Sequence, residues 1–212
     1  MKKFLFPALL GAALFAAPAT FAHKAPTKVA AKGIVTYKLQ PQLSTLGWEG
    51  KAVTHGHTGT MQFASGDLQV NGNQVVGGTV IVDMKTLKAT DITDAANHAK
   101  FVGHMSSDDF FSSEKYPTST FKITSVKPIA GAKGDVDNAT ITGEMTIKGV
   151  TQQISFPAKV GVKDGIAAAT GKVTIDRTKF GLKYGSKTFF DSIGDKAIYD
   201  EFTLAFNVVA KQ

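Results

Sequence analysis

The most regular feature of the chain is an alternation of apolar and polar positions with a period of two. Ile141, Gly143, Met145 and Ile147 alternate with Thr140, Thr142, Glu144, Thr146 and Lys148. Ile154, Phe156, Ala158, Val160 and Val162 repeat the pattern, as do Ala167, Ala169, Gly171, Val173 and Ile175, and finally Phe202, Leu204, Phe206 and Val208. Side chains on a strand point alternately to opposite faces, so each segment predicts a strand with one apolar and one polar face. Richness in Thr and Val supports this. Earlier strand candidates are Ile34–Leu39, Thr45–Val53, Thr58–Phe63, Asp67–Asn71, Gln74–Met84 and Thr118–Val126. Turn signals separate them at Ser65-Gly66-Asp67, Asn71-Gly72-Asn73, Gly131 to Asp137, Lys148-Gly149 and Lys163-Asp164-Gly165. Short turns between alternating runs mark hairpins, and so an antiparallel meander in the C-terminal half. One segment, Asp91 to His104, predicts a helix instead, capped by Thr93 or Asp94, with its body near residues 94–104.

Many one-sided strands in one chain require a common place for their apolar faces. A sandwich or a closed barrel provides it, and a barrel also removes exposed edges. About eight strands enclose just enough room for side chains or one small ligand.

The N-terminus reads differently. Met1-Lys2-Lys3 is followed by an apolar run from Phe4 to Ala17 and then by small residues up to Ala22. That order predicts a secretory signal peptide over residues 1–22, cleaved after Ala22 or after Ala19. The run is shorter than the roughly 20 residues needed to span a bilayer. The formal charge of +7 falls to +5 on cleavage, because residues 1–22 hold Lys2, Lys3 and no acid. A lysine-containing lead over 23–32 joins the domain. The expected location is the periplasm or the exterior. With no cysteine, disulfides, thiolate metal sites and cysteine nucleophiles are excluded. With 43% hydrophobic and 19% charged residues in 212, the chain can bury a core, and its length predicts one domain.

Four segments then carry a resemblance. Met105-Ser106-Ser107-Asp108-Asp109-Phe110-Phe111-Ser112-Ser113-Glu114-Lys115-Tyr116-Pro117-Thr118-Ser119-Thr120-Phe121, preceded by His104, resembles the signature of the YceI-like family. Gly56-His57-Thr58-Gly59, Gly143 to Thr151 and Asp176-Arg177-Thr178-Lys179-Phe180-Gly181 match further pieces in family order. The resemblance covers a domain over 33–210. It implies an all-β fold: an extended, lipocalin-like antiparallel β-barrel of about eight strands with one short helix. It also implies an exported, non-enzymatic protein that holds a long isoprenoid-like or other amphiphilic lipid in its lumen. Ser112, Ser113 and the extra His55 depart from the family pattern.

The residues point the same way. Of the aromatic residues, 15 are Phe, 4 Tyr and 1 Trp, a set suited to a dry interior. With the apolar faces turned inward, the expected lumen is lined by Trp48, Phe63, Val80, Val82, Phe101, Phe110, Phe121, Met145, Ile147, Phe156, Phe180, Phe202 and Phe206. His57, His104 and Arg177 are assigned to the mouth, where a ligand headgroup would lie, with His57 and His104 read first as orienting the loop and helix over the barrel by hydrogen bonds. For Arg177, the only arginine, barrel closure against a carboxylate or an aromatic such as Trp48 is favoured over contact with the headgroup. His55 and His57 share a strand face, and His98 or His104 is the nearest source of a third metal ligand, but no fixed ligand spacing exists. No metal and no cofactor is expected. Asp108-Asp109 reads as a turn cap or a water-facing pair.

Gly-x-Ser-x-Gly and Gly-x-Gly-x-x-Gly are absent, and Gly165 to Lys172 is an imperfect phosphate loop inside a strand. The favoured function is therefore a soluble lipid carrier or sequestering protein, a monomer or homodimer without stable membrane insertion. The alternative is an enzyme modifying such a lipid with polar residues at the mouth. An outer-membrane barrel is disfavoured by too few Trp and Tyr for interfacial girdles. Nucleic acid is disfavoured by scattered lysines and a single arginine.

Overall fold

The alternating segments all form strands, and their one-sided apolar faces meet inside a sheet that closes on itself. The computed structural model describes residues 33–212. The expected signal peptide (1–22) and lead (23–32) lie outside the described residues. The described strands are β1 (Val35–Leu39), β2 (Thr45–Ala52), β3 (Gly56–Asn71), β4 (Gln74–Ala89), β5 (Thr118–Pro128), β6 (Ala139–Ile147), β7 (Val150–Lys163), β8 (Ile166–Asp176) and β9 (Ile198–Lys211). Helix α1 (Ala95–Ser106) lies between β4 and β5.

Every pairing is antiparallel, and β4 pairs with both β5 and β3, which closes the ring. β1 and β2 both sit between β3 and β9, separated by a short 3-10 turn at Pro41–Leu43. They are two halves of one interrupted strand, so nine strands fill the 8 positions of a closed barrel. Ser44 bridges the break: its hydroxyl donates to Gln40 O at 2.8 Å and accepts from Val209 N at 3.0 Å.

Local chemistry sets the hairpins. Lys148 and Gly149 have φ of 49° and 76°, and Asp164 and Gly165 have φ of 51° and 73°. Two successive positive φ values are what a tight hairpin requires to match strand twist. Asp94 caps α1 by accepting from Asn97 N at 2.8 Å, and the helix runs on past His104 to Ser106.

One expected boundary is absent. Ser65-Gly66-Asp67 is no turn: Thr58–Phe63 and Asp67–Asn71 belong to the single strand β3. The register against β4 shifts between Phe63 and Ser65. The extra residue of a bulge moves the inward set from odd positions (Met61, Phe63) to even ones (Leu68, Val70) without breaking the strand. β4 also continues beyond the expected Met84 to Ala89.

Candidate binding site: a barrel lumen and an aromatic chamber at its mouth

Inward faces of all the long strands converge on a narrow void of about 110 Å³. Val80, Val82 and Met84 come from β4, Phe121 and Ile123 from β5, and Ile141, Met145 and Ile147 from β6. Phe156, Val173 and the run Phe202, Leu204, Phe206, Val208 complete the opposite wall. The rings interlock: Phe156 lies 5.5 Å from Phe121 and 5.6 Å from Phe206 between centroids. Ser119 is a rare polar group here, and its hydroxyl is satisfied by Met84 Sδ at 3.0 Å.

A second void of about 420 Å³ opens at the end of the barrel where β2 and β8 finish and β3 and β9 begin. It lies among the β2–β3 turn, α1 and the segment from Leu182 to Tyr199. Met61, Phe111 and Phe202 line both voids, so these three flexible or rotatable side chains stand where the two adjoin. All four methionines beyond Met1 line one void or the other: Met61 both, Met84 and Met145 the lumen, Met105 the chamber. Unbranched thioether side chains repack readily, so these walls can change shape at low energetic cost.

The chamber carries aromatic rings and pinned histidines. Trp48 stacks on Phe101 at 6.0 Å and 12°, and its indole N–H donates to Lys88 O at 3.2 Å. His57 packs on Phe101 at 4.7 Å, and its Nδ1 lies 2.8 Å from Asp91 Oδ2. Asp91 Oδ1 also accepts from Thr58 N at 3.1 Å. Partial burial pushes the Asp91 carboxyl up, but the bonds from His57 and Thr58 outweigh it and hold the group below its ordinary range. His104 Nε2 lies 3.2 Å from Asp109 Oδ2, and its ring meets Tyr184 edge-on at 4.7 Å. His57 therefore ties β3 to the β4–α1 link, and His104 ties α1 to the signature segment.

Arg177 is 5% exposed. Its guanidinium donates to Leu182 O at 2.7 Å, Tyr199 O at 3.0 Å and Ile198 O at 3.0 Å, with Asp200 at 3.5 Å. Burial pulls its pKa below the ordinary arginine value, against the opposing pull of Asp200 and Asp176. The side chain borders the chamber, and three of its five N–H donors bond backbone carbonyls. These bonds join the chain to itself through main-chain carbonyls, where a carboxylate or an aromatic ring is the expected closure partner.

The thirteen residues assigned to the lumen divide. Phe63, Val80, Val82, Phe121, Met145, Ile147, Phe156, Phe202 and Phe206 line the lumen void. Trp48 from β2, Phe101 from α1 and Phe110 from the signature segment line the outer chamber instead. Phe180 lines neither void; it is 2% exposed in a 3-10 turn after β8 and packs in the core. His57, His104 and Arg177 all border the chamber, with His55 beside them. Among the described residues, no three His, Asp or Glu side chains are grouped to hold a metal ion. Sequence reasoning missed Met61 and Phe111. Met61 is two residues from Phe63 on one strand face, and Phe111 lies within the signature, so both carried a usable signal.

The signature segment, the β2–β3 turn and Arg177 thus all meet at one end of a lumen. Residues 37–210 match the YceI-like domain family over most of the chain. The chain belongs to this family. A UPF0312 protein of Shewanella oneidensis is 31% identical over 192 residues, covering 86% of this chain and 89% of that protein. Protein YceI of Escherichia coli is 39% identical over 75 residues, a match spanning only 35% of either protein. The crystal structure of Burkholderia cenocepacia BcnA superposes with a TM-score of 0.63 at 20% identity, covering 82% of this chain and 99% of that one. A polyisoprenoid binding domain from Saccharophagus degradans superposes with a TM-score of 0.60 at 17% identity, covering 82% and 97%. At those identities the superpositions establish the YceI-like barrel as a fold. Among the described residues, no helix is long and apolar enough to cross a membrane.

Proposed function

We propose that this YceI-like protein is a non-enzymatic carrier or sequestering protein, exported to the periplasm or beyond. Its guest is a lipid with a long isoprenoid-like or similarly amphiphilic chain. The observation that carries the reading is the apolar lumen void and the mostly apolar chamber beside it, whose walls share Met61, Phe111 and Phe202. The inner void alone is smaller than the roughly 150 Å³ cavity that admits a single benzene ring. A long guest therefore begins in the outer chamber and extends inward by displacing these shared methionine and phenyl side chains. Each buried methylene contributes about 0.8 kcal/mol, so ten give about 8 kcal/mol gross, near micromolar affinity before ordering costs. No charged anchor is needed. The name of the Saccharophagus degradans domain supports an isoprenoid as the first chain to try.

The alternative reading, an enzyme acting on such a lipid, is favoured by His57, which is oriented by Asp91 at the chamber wall. Two measurements separate the readings. Protein purified gently and then denatured should release one hydrophobic molecule, detected by mass spectrometry. Titration with a long-chain polyprenol should change the fluorescence of Trp48, the only tryptophan, which stands in the chamber wall. An empty protein whose Trp48 emission ignores polyprenol would refute the carrier reading. Retention of the guest by His57→Ala is expected; chemical conversion of the polyprenol, abolished by that substitution, would support the enzyme.

A further inference from the structure

The apolar surface of the barrel is not all turned inward. Between Gly181 and Tyr199 the chain exposes Phe189 (44%), Phe190 (51%), Tyr184 (43%) and Tyr199 (51%). Four exposed lysines lie in or beside the same stretch: Lys179, Lys183, Lys187 and Lys196. Asp191 and Asp195, also exposed, offset two of them. Lys183 Nζ stands 4.5 Å from the centre of the Phe189 ring, so cation and phenyl are presented side by side.

The root of this segment is held firmly. Arg177 bonds to Leu182 O at one end and to Ile198 O and Tyr199 O at the other. Ile198 N donates to Gly185 O at 2.7 Å, Thr188 Oγ1 donates to Asp200 Oδ2 at 2.5 Å, and Ser186 is fully buried. The two adjacent phenyls are thus displayed by an anchored scaffold. The same segment supplies Leu182, Tyr184, Lys196 and Tyr199 to the chamber wall, so the exposed tip stands beside the way in.

We propose that the Gly181–Tyr199 segment is a peripheral docking surface for an anionic phospholipid bilayer. Phe189 and Phe190 enter the acyl boundary while Lys183 and Lys187 meet headgroup phosphates, which sets the chamber against the membrane for direct transfer of a lipid chain. Interfacial binding gains from buried apolar area together with basic side chains near an anionic surface. The surplus of lysines over Asp191 and Asp195 and the pairing of Lys183 with Phe189 favour an anionic apolar boundary as the occupant over a second, equally basic copy of the chain. The purpose rests on the carrier reading, but the docking itself is measured separately.

The test is flotation of the full purified chain with vesicles of phosphatidylglycerol and phosphatidylcholine (1:1), against phosphatidylcholine alone. Binding to the anionic vesicles is expected, at least about tenfold stronger than to the neutral ones, and weakened by salt. The double substitution Phe189→Ser and Phe190→Ser should weaken it about tenfold or more, with melting temperature and bound guest unchanged. Lys183→Glu with Lys187→Glu should weaken it and reduce its salt dependence. Absence of vesicle binding, or binding indifferent to the phenyl substitutions, overturns the proposal. Concentration-dependent self-association lost with the same phenyls, without vesicle binding, assigns the surface to a second copy and also overturns it. Vesicle binding by a protein that never carries a guest would sink the carrier reading and leave the docking surface standing.

Discussion

Replacing Arg177 by alanine tests how the mouth of the barrel is held. The side chain joins three backbone carbonyls on two segments far apart in sequence, Leu182 on one side and Ile198 and Tyr199 on the other. The Leu182 bond is buried and the other two are partly buried. Losing the buried partner strands one carbonyl at a cost of about 1–3 kcal/mol, and each partly buried carbonyl recovers water at a net loss of about 1 kcal/mol. Asp200, 3.5 Å from the guanidinium, loses its countercharge as well. We expect a total loss of about 4 kcal/mol, within the range for breaking a buried pair. That is a large part of the roughly 5–15 kcal/mol stability of a typical domain. In urea the midpoint should fall by about 2 M. Arg177→Lys should recover less than half, because one ammonium cannot span three carbonyls held by a planar fork. A loss below about 1 kcal/mol in the alanine variant, or full rescue by lysine, would refute the clamp.

The same site predicts an acid limb. Burial pushes Asp200 up, but hydrogen bonds from Ser186 and Thr188 and the charge of Arg177 more than offset it, so the folded pKa lies below the ordinary 3.8. The stability it contributes is therefore present above the unfolded value and is lost as pH falls through the lower folded value. Asp200→Asn should flatten that part of the stability–pH curve in denaturant titrations.

Two further substitutions probe packing and the guest. A methyl group on Gly59 would lie 1.8 Å from Lys88 O and 2.5 Å from the Trp48 ring, whereas one on Gly50 meets nothing within 4 Å. Gly59→Ala should therefore cost about 3 kcal/mol in urea melts and Gly50→Ala about 0.5 kcal/mol or less; equal effects would contradict the close approach of β2, β3 and β4. Ala169 lines the lumen, and Ala169→Leu fills part of its void. Mass spectrometry should then find several-fold less guest in a protein destabilised by no more than about 2 kcal/mol; unchanged loading would place the guest outside the lumen.

Much of this architecture was written locally. Period-two alternation over 141–147, 154–162, 167–175 and 202–208 specifies strands and their apolar faces, because the pleat sends successive side chains to opposite sides whatever surrounds them. Asp94 marks the start of α1, and the Lys148-Gly149 and Asp164-Gly165 pairs mark hairpins, because capping and positive φ are properties of a few adjacent residues. The tertiary structure alone decided the bulge that makes Ser65-Gly66-Asp67 part of one strand, since a bulge depends on the register of the partner β4. It also decided that Trp48, Phe101 and Phe110 face an outer chamber and that Phe180 packs elsewhere. Alternation tells which side of a strand is apolar, but not how far along the barrel axis each residue lies. Arg177 shows the same limit. A lone arginine has the chemistry to grip a headgroup or a backbone, and only the tertiary structure brings the Leu182, Ile198 and Tyr199 carbonyls around it.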